Sequence, residues 1–371
     1  MIPILYLSHC GSSIGGGEKQ LYYLVTHLNK KLYQPIVVCP DDGIFANQLR
    51  EANIPTVILN LPPWRKVVSR LTRHSAAAEL TNLAKKHNVQ LVHTSDSWLN
   101  PYLLQIKTQL NVPVISHVRN LLTPAQVSKY DFNQMSHIIA ISEQSKTPLV
   151  QAGIVSQKID IVLNCVDLSV FQPDPAENDK KSELFIVGIV GRIEPFKRQK
   201  TYVEIASEVA KQYQNVRFHI IGAALDTPEH RAYDKEVRQL VSEYQLDDSI
   251  HFAGHRDDIP RAMQELDLLV TLSAGSIIAE AMASGKPVIG TPIGSTSEMI
   301  IDGVTGYVVP LDSIEAISDR IVQLITDSDK CKQMGNAARK HAEEAFSIEK
   351  HVQKIQNIYE KLIETNNENG V

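Results

Sequence analysis

Short apolar runs alternate along this chain with longer stretches in which apolar positions recur every three or four residues. The runs read as strands buried on both faces, and the slower rhythm reads as amphipathic helix. In the first half the pattern predicts strands at Ile2–Leu7, Pro35–Cys39, Thr56–Leu59, Leu91–His93, Val114–His117, His137–Ile141 and Asp160–Leu163. The clearest helices there are Glu18–Leu28, Ala76–Lys86 and Glu143–Ala152. The second half predicts strands at Phe185–Val190, Arg217–Ile221, Ile250–Phe252, Asp267–Leu272, Pro287–Ile289 and Tyr307–Val309. A helix falls at Tyr202–Tyr213, and the chain finishes in helices over Ser313–Thr326, Asp329–Glu344 and Ile348–Glu364. Strand–helix alternation of this kind implies an α/β protein with parallel sheets covered on both faces. Between the halves, Gln172–Lys181 is polar and rich in proline and charge, and reads as a linker. The expected domains are therefore 1–171 and 184–347.

Composition agrees with two globular domains: 371 residues, 43% hydrophobic and 21% charged. Charge is unevenly shared. Residues 1–165 hold 15 Lys+Arg against 9 Asp+Glu (+6), and the remainder hold 22 against 33 (−11), which together give the net −5. A basic first half suits an anionic acceptor or anionic lipid headgroups. Nucleic acid is not an expected partner. Four cysteines are scattered without C-x-x-C spacing, which favours a reducing compartment over disulfide or metal use. The start of the chain lacks a basic n-region, and no stretch has the length a membrane span needs. A cytoplasmic protein is expected, with contact at a membrane surface left open. The segment Pro62–His74 bears on that contact, because it mixes Arg65, Lys66, Arg70 and Arg73 with Trp, Val and Leu.

Candidate chemistry gathers at strand ends. After the strand ending at Leu272 comes a turn of small residues, Ser273-Ala274-Gly275-Ser276, and then a helix opening at Ile277. The unpaired N–H groups of Gly275, Ser276 and Ile277 would suit a phosphate. Glu280 lies one helical turn on, facing the same side as Ser276, where it could accept hydrogen bonds from a ribose. After the strand ending at Val190, Arg192 and Lys197 stand five residues apart in a loop. A forked guanidinium and a mobile ammonium there are suited to a diphosphate. In the first half the turn Gly15-Gly16-Gly17 follows the first strand, and its bare backbone would let a ligand approach Gly16 and Gly17 closely. The glycine spacing is not G-x-G-x-x-G, which argues against a dinucleotide. His117 closes another strand. Metal is not expected: the sole Asp-x-Asp, Asp327-Ser328-Asp329, lies between two late helices, where Asp329 or Ser328 reads as an N-cap.

Together these residues resemble the GT4 (group 1) retaining glycosyltransferases, whose GT-B architecture is two Rossmann-like doubly wound domains facing an inter-domain cleft. Gly16-Gly17-Glu18 is similar to that family's N-terminal glycine turn. His117 is similar to its strand-end histidine, with Val118-Arg119 in place of the common His-Asp pairing. Ile139–Glu143, Asn164–Asp167, Glu280–Ala283 and Gly303–Gly306 resemble further family segments, with Cys165 where a glycine is usual. Gly191-Arg192 through Lys197 is similar to its diphosphate-binding pair, and the Gly254–Ile259 loop, with Arg256, to one lying near the nucleotide base. One departure stands out. The family usually carries Glu-x7-Glu, but eight residues before Glu280 stands Leu272, and no acid occurs between Asp267 and Glu280.

The resemblance implies transfer of a sugar from a UDP- or GDP-sugar to a hydroxyl of a saccharide or lipid-linked acceptor, retaining configuration and using neither metal nor cofactor. It implies that Arg192 and Lys197 stabilise the leaving diphosphate, that His117 sits over the sugar, and that the first domain binds the acceptor. It also implies that the last helix crosses back onto that domain. Two alternatives stay open at this point: an isomerase resembling the nucleotide-sugar 2-epimerases, and a silent nucleotide-sugar-binding partner subunit.

Overall fold

The computed structural model of the protein describes residues 1–175 and 184–368. Contacts divide the chain into two units, Met1–Asn164 with the C-terminal helix, and Cys165–Ser347. In the first unit strands β1 (Ile2–Leu7), β2 (Tyr33–Cys39) and β3 (Thr56–Ile58) are joined by helices α1 (Gly16–His27) and α2 (Ile44–Glu51). Then follow α3 (Arg73–Lys86), β4 (Leu91–Thr94), α4 (Asn100–Leu110), β5 (Val114–Val118), α5 (Pro124–Lys129), β6 (His137–Ala140), α6 (Glu143–Gln151) and β7 (Ile159–Ile161). All seven strands run parallel in the order β3-β2-β1-β4-β5-β6-β7. Each lies where the apolar runs predict it, within a residue or two at the ends, because central strands buried on both faces must be apolar throughout.

The second unit repeats the plan. Strand β8 (Phe185–Val190) leads through α7 (Gln199–Gln212) to β9 (Val216–Ile221), and through α8 (Pro228–Glu243) to β10 (Ile250–Gly254). Helix α9 (Ile259–Glu265), β11 (Leu268–Thr271), α10 (Ile277–Ala283), β12 (Val288–Gly290), α11 (Thr296–Met299) and β13 (Gly306–Val308) come next. Helices α12 (Ile314–Thr326) and α13 (Ser328–Ala345) complete the unit. Its six parallel strands are ordered β10-β9-β8-β11-β12-β13. In both sheets the order therefore reverses beside the first strand. Loops leaving the carboxyl ends of β1 and β4, and of β8 and β11, border a crevice of the kind in which open α/β sheets bind ligands.

The boundary between units falls earlier than the polar stretch suggests. Val166 N donates to Phe346 O at 2.9 Å, and the Arg339 guanidinium donates to Phe171 O at 2.8 Å. Cys165–Phe171 is thereby tied to the second unit, although a first domain of 1–171 is expected from the sequence. Residues 176–181 of the expected linker lie outside the described residues.

The last helix, α14 (Ile348–Glu368), belongs to the first unit. Its docking is polar as well as apolar. Tyr6 Oη donates to Tyr359 Oη (3.1 Å), and the Tyr359 hydroxyl donates in turn to His93 Nδ1 (2.6 Å). Gln356 Oε1 accepts from Asn29 N at 2.8 Å, and His351 Nδ1 meets Leu163 O at 2.8 Å. His93 also stacks on His117, with ring centroids 5.5 Å apart. Burial, with the neighbouring Arg119 charge adding to it, pushes His93 down to about 3 and His351 to about 4. Both imidazoles are neutral when folded.

Acid should therefore loosen this unit. Above the ordinary histidine pKa neither the folded nor the unfolded chain protonates these rings, so they leave stability independent of pH. Below about 6.5 the unfolded chain takes up protons that the folded one refuses, and each ring removes about 1.4 kcal/mol per pH unit until its folded pKa is reached. The thermal midpoint should fall steadily between pH 7 and 5, and a flat profile would contradict the buried neutral cluster.

Candidate active site

In the second unit β8 is followed directly by Gly191, whose φ of +147° needs glycine. A Cβ at Gly222, which follows β9, would lie 2.0 Å from Gly191 O, so the two strand ends approach as closely as bare backbone allows. The chain then turns through Pro195–Lys197 before α7. That turn folds Lys197 back toward the end of β11, where its Nζ donates to Ala274 O at 3.2 Å. A Cβ on Gly275 would sit 3.5 Å from the same Nζ. From the other side Gly294, at φ +67°, packs so tightly that a Cβ there would meet Ala274 Cβ at 2.4 Å. The loop 273–276 is thus pinned between a lysine and a glycine. No side chain caps the start of α10 behind it.

The electrostatics of this pocket wall are unbalanced. Lys197 is half-buried, and burial lowers its pKa from the ordinary lysine value; Glu194 opposes the shift and Arg192 adds to it. Among the described residues no carboxylate lies within ion-pair distance of its Nζ. Arg192 stays well exposed and reaches Glu194 Oε1 at 3.3 Å, while His230 Nε2 approaches the other Glu194 oxygen at 3.5 Å. Gln199 Nε2 holds the Arg192 carbonyl at 2.8 Å. The result is a half-buried ammonium and an exposed guanidinium beside a strand-end crevice. An anion of two or more charges is the natural complement.

In the first unit Gly16 and Gly17 open α1, and a Cβ at Gly16 would meet nothing within 4 Å. Glu18, buried just inside the helix, accepts from Gly15 N at 3.0 Å through one oxygen and from His9 Nδ1 at 2.8 Å through the other. His9 follows β1 and is 41% exposed. The Glu18 hydrogen bond raises its pKa against the opposing effect of burial, and Asp96, in the loop after β4, adds to the rise. Glu18 is held below the usual carboxylate range: its own burial acts the other way, but the His9 and backbone hydrogen bonds outweigh it.

The family described as "Glycosyl transferases group 1" matches residues 170–341, and "Glycosyltransferase Family 4" matches residues 14–170. The chain belongs to the group 1, family 4 glycosyltransferases. It is 25% identical over 304 residues to the N-acetyl-alpha-D-glucosaminyl L-malate synthase of Bacillus anthracis, covering 76% of this chain and 77% of that one. Identity is 27% over 248 residues, 64% of this chain and 68% of the relative, to the lipopolysaccharide core biosynthesis mannosyltransferase LpsB of Rhizobium meliloti. Anabaena HepE, solved in complex with UDP, has the same fold, with a TM-score of 0.85 at 22% identity over 97% of this chain and all of that one.

In this glycosyltransferase the expected diphosphate pair, Arg192 and Lys197, and the small-residue turn of Gly275, Ser276 and Ile277 do converge at one end of the second sheet. Glu280 is buried one turn further along α10. Arg256 is not brought to them. It lies beyond β10, two strands from β8, where its guanidinium is engaged by Asp258 (2.8 and 2.6 Å) and Glu265 (2.5 and 3.2 Å). His117 is wholly buried inside the first unit, and among the described residues nothing hydrogen-bonds its Nε2. Arg119, two residues on, lies against the glycine turn instead, its Cδ 3.7 Å from where a Gly17 Cβ would be. Its guanidinium meets His117 Nδ1 (3.3 Å) and Asn164 Oδ1 (3.1 Å).

Leu272 is buried in the core of the second unit, and only Leu272–Ser276 separates β11 from α10. The Asp-x-Asp triplet caps α13 through Asp327, which accepts from Lys330 N at 3.0 Å, rather than through Ser328 or Asp329. Sequence reasoning missed the His9–Glu18 pair and the Glu194–His230 contact. Glu18, three residues inside a helix start, is a capping-box signal that could have found the first; nothing local marks His230.

Glu18→Gln should lower the His9 pKa toward or below the ordinary imidazole value, followed by NMR titration of the ring. An unchanged midpoint would show that Glu18 does not hold the charge on His9.

Proposed function

We propose that this glycosyltransferase moves a sugar from a UDP-linked donor, in preference to a GDP-linked one, to a hydroxyl of a saccharide or lipid-linked acceptor, with retention of configuration and without a metal. The observation that carries the reading is Lys197: a half-buried ammonium, hydrogen-bonded to the Ala274 carbonyl beside Gly275, with no carboxylate in ion-pair contact among the described residues. UDP in the structure of HepE supports the choice of base. The mannosyltransferase LpsB, named for lipopolysaccharide core biosynthesis, supports an acceptor in surface-glycan assembly.

The chemistry is a front-face displacement. The bond between the anomeric carbon and the diphosphate oxygen breaks, the acceptor oxygen bonds to that carbon from the same face, and the acceptor's proton passes to the leaving diphosphate. Charge grows on the diphosphate as the bond breaks. Lys197 and Arg192 meet it with positive charge, supplying what a divalent ion supplies elsewhere. The N–H groups of the 275–277 turn add hydrogen bonds to phosphate oxygens, and Glu280 is assigned the ribose hydroxyls.

Arg192→Ala and Lys197→Ala should each lower kcat/KM for UDP-glucose turnover by about 10²–10³-fold, by analogy with the loss of one preorganised oxyanion donor. The thermal midpoint should hardly move. UDP release measured in the presence of a chelator checks both parts: normal turnover in both variants removes the proposed roles, and dependence on manganese removes the metal-free reading.

A further inference from the structure

The segment between β3 and α3 exposes apolar side chains to an unusual degree. Val67 is 76% exposed, Val68 85% and Leu71 93%. These are not the side chains of a loose tail. Val67–Ser69 forms a 3-10 turn, with Ser69 buried beneath it. Trp64 anchors the segment's start edge-on to Tyr102 at 5.0 Å, and the Tyr102 hydroxyl donates to Pro62 O at 2.6 Å. Arg73 closes the far end by donating to Trp64 O and lying over the indole at 5.3 Å. A fixed platform therefore holds three aliphatic groups out in water, where their hydration is unfavourable.

Charge selects what covers them. Lys66 and Arg70 flank the aliphatic groups in sequence, and no Asp or Glu occurs anywhere from residue 52 to 78; Arg65 is paired with Asp131 at 3.0 Å and Arg73 with Trp64. Because the strands are parallel, this segment leaves the sheet at the same carboxyl edge as the glycine turn after β1 and Arg119 after β5. We propose that Lys66–Leu71 is a membrane-docking surface for an anionic lipid bilayer. Val67, Val68 and Leu71 enter the headgroup–acyl boundary, and Lys66 and Arg70 pair with lipid phosphates. A bilayer fits better than a protein partner because the three aliphatic groups are each at least three-quarters exposed and the acid-free segment carries Lys66 and Arg70 among them. The assignment does not depend on which sugar or acceptor the enzyme uses.

The test is co-sedimentation of the full chain with phosphatidylcholine vesicles, with and without phosphatidylglycerol. The wild type should sediment with the anionic vesicles, weakly with neutral ones, and less as salt is added. The triple variant V67S/V68S/L71S should lose on the order of a hundredfold in vesicle partitioning. K66Q/R70Q should lose roughly thirtyfold at low salt, since each surface cation contributes about 1 kcal/mol. Both variants should keep the parental thermal midpoint, because the altered side chains are exposed. Failure of the wild type to sediment with anionic vesicles would overturn the proposal, as would equal sedimentation of the triple variant. So would a wild-type dimer that the triple variant dissociates, which would assign the patch to a second copy of the chain.

Discussion

A half-buried ammonium group with no carboxylate in ion-pair contact among the described residues is the constraint on which the functional half of this structure depends. Lys197 is kept there by a carbonyl, Ala274 O, whose own loop is held from behind by Gly294. Neither contact is strong enough to explain a half-buried cation by itself, since one neutral hydrogen bond contributes only about 1 kcal/mol net. Two glycines leave room for this arrangement: a Cβ on Gly222 would collide with Gly191 O, and one on Gly191 would crowd the Lys197 stem.

The first unit solves a different problem with the same topology. Its glycine turn is braced by a buried carboxylate, Glu18, which serves both the Gly15 backbone and the His9 ring. Behind the sheet the hydroxyls of Tyr6 and Tyr359 and the His93 ring form a hydrogen-bonded line that fastens the last helix of the chain to its first strand. Residues more than three hundred positions apart become neighbours through that line. The cost of burying so many polar groups is offset only while they stay paired and neutral.

Strand and helix positions were legible in the sequence because both sheets are parallel and buried, so each strand is a plain apolar run between turns. The limits of the units were less legible. Cys165–Phe171 looks like the end of the first unit in composition, yet backbone and arginine hydrogen bonds to Phe346 and Phe171 tie it to the second. Those bonds join residues distant in sequence and leave no local mark. The placement of Arg192 and Lys197 in a strand-end loop was readable because both follow an apolar strand directly; the fold of Lys197 back onto Ala274 O was not, because it joins residues 77 positions apart. His117 was harder: a strand-end position does not say which way a ring turns, and here it turns inward to stack on His93 while Arg119 takes the place against Gly17. Arg256 is expected near the nucleotide base only from the resemblance of its loop, and that resemblance carries no sign of the Asp258 and Glu265 carboxylates that engage it.

The central claim is that Lys197 recognises the diphosphate and not the nucleoside. Calorimetric titration of UDP and of uridine into the wild type and Lys197→Met, with a chelator present, tests it most directly. The account predicts that the variant loses about ten- to a hundredfold in UDP affinity, the range for one charge-assisted contact, while uridine binds as before. An equal loss for both ligands, or UDP binding indifferent to the substitution, would contradict it.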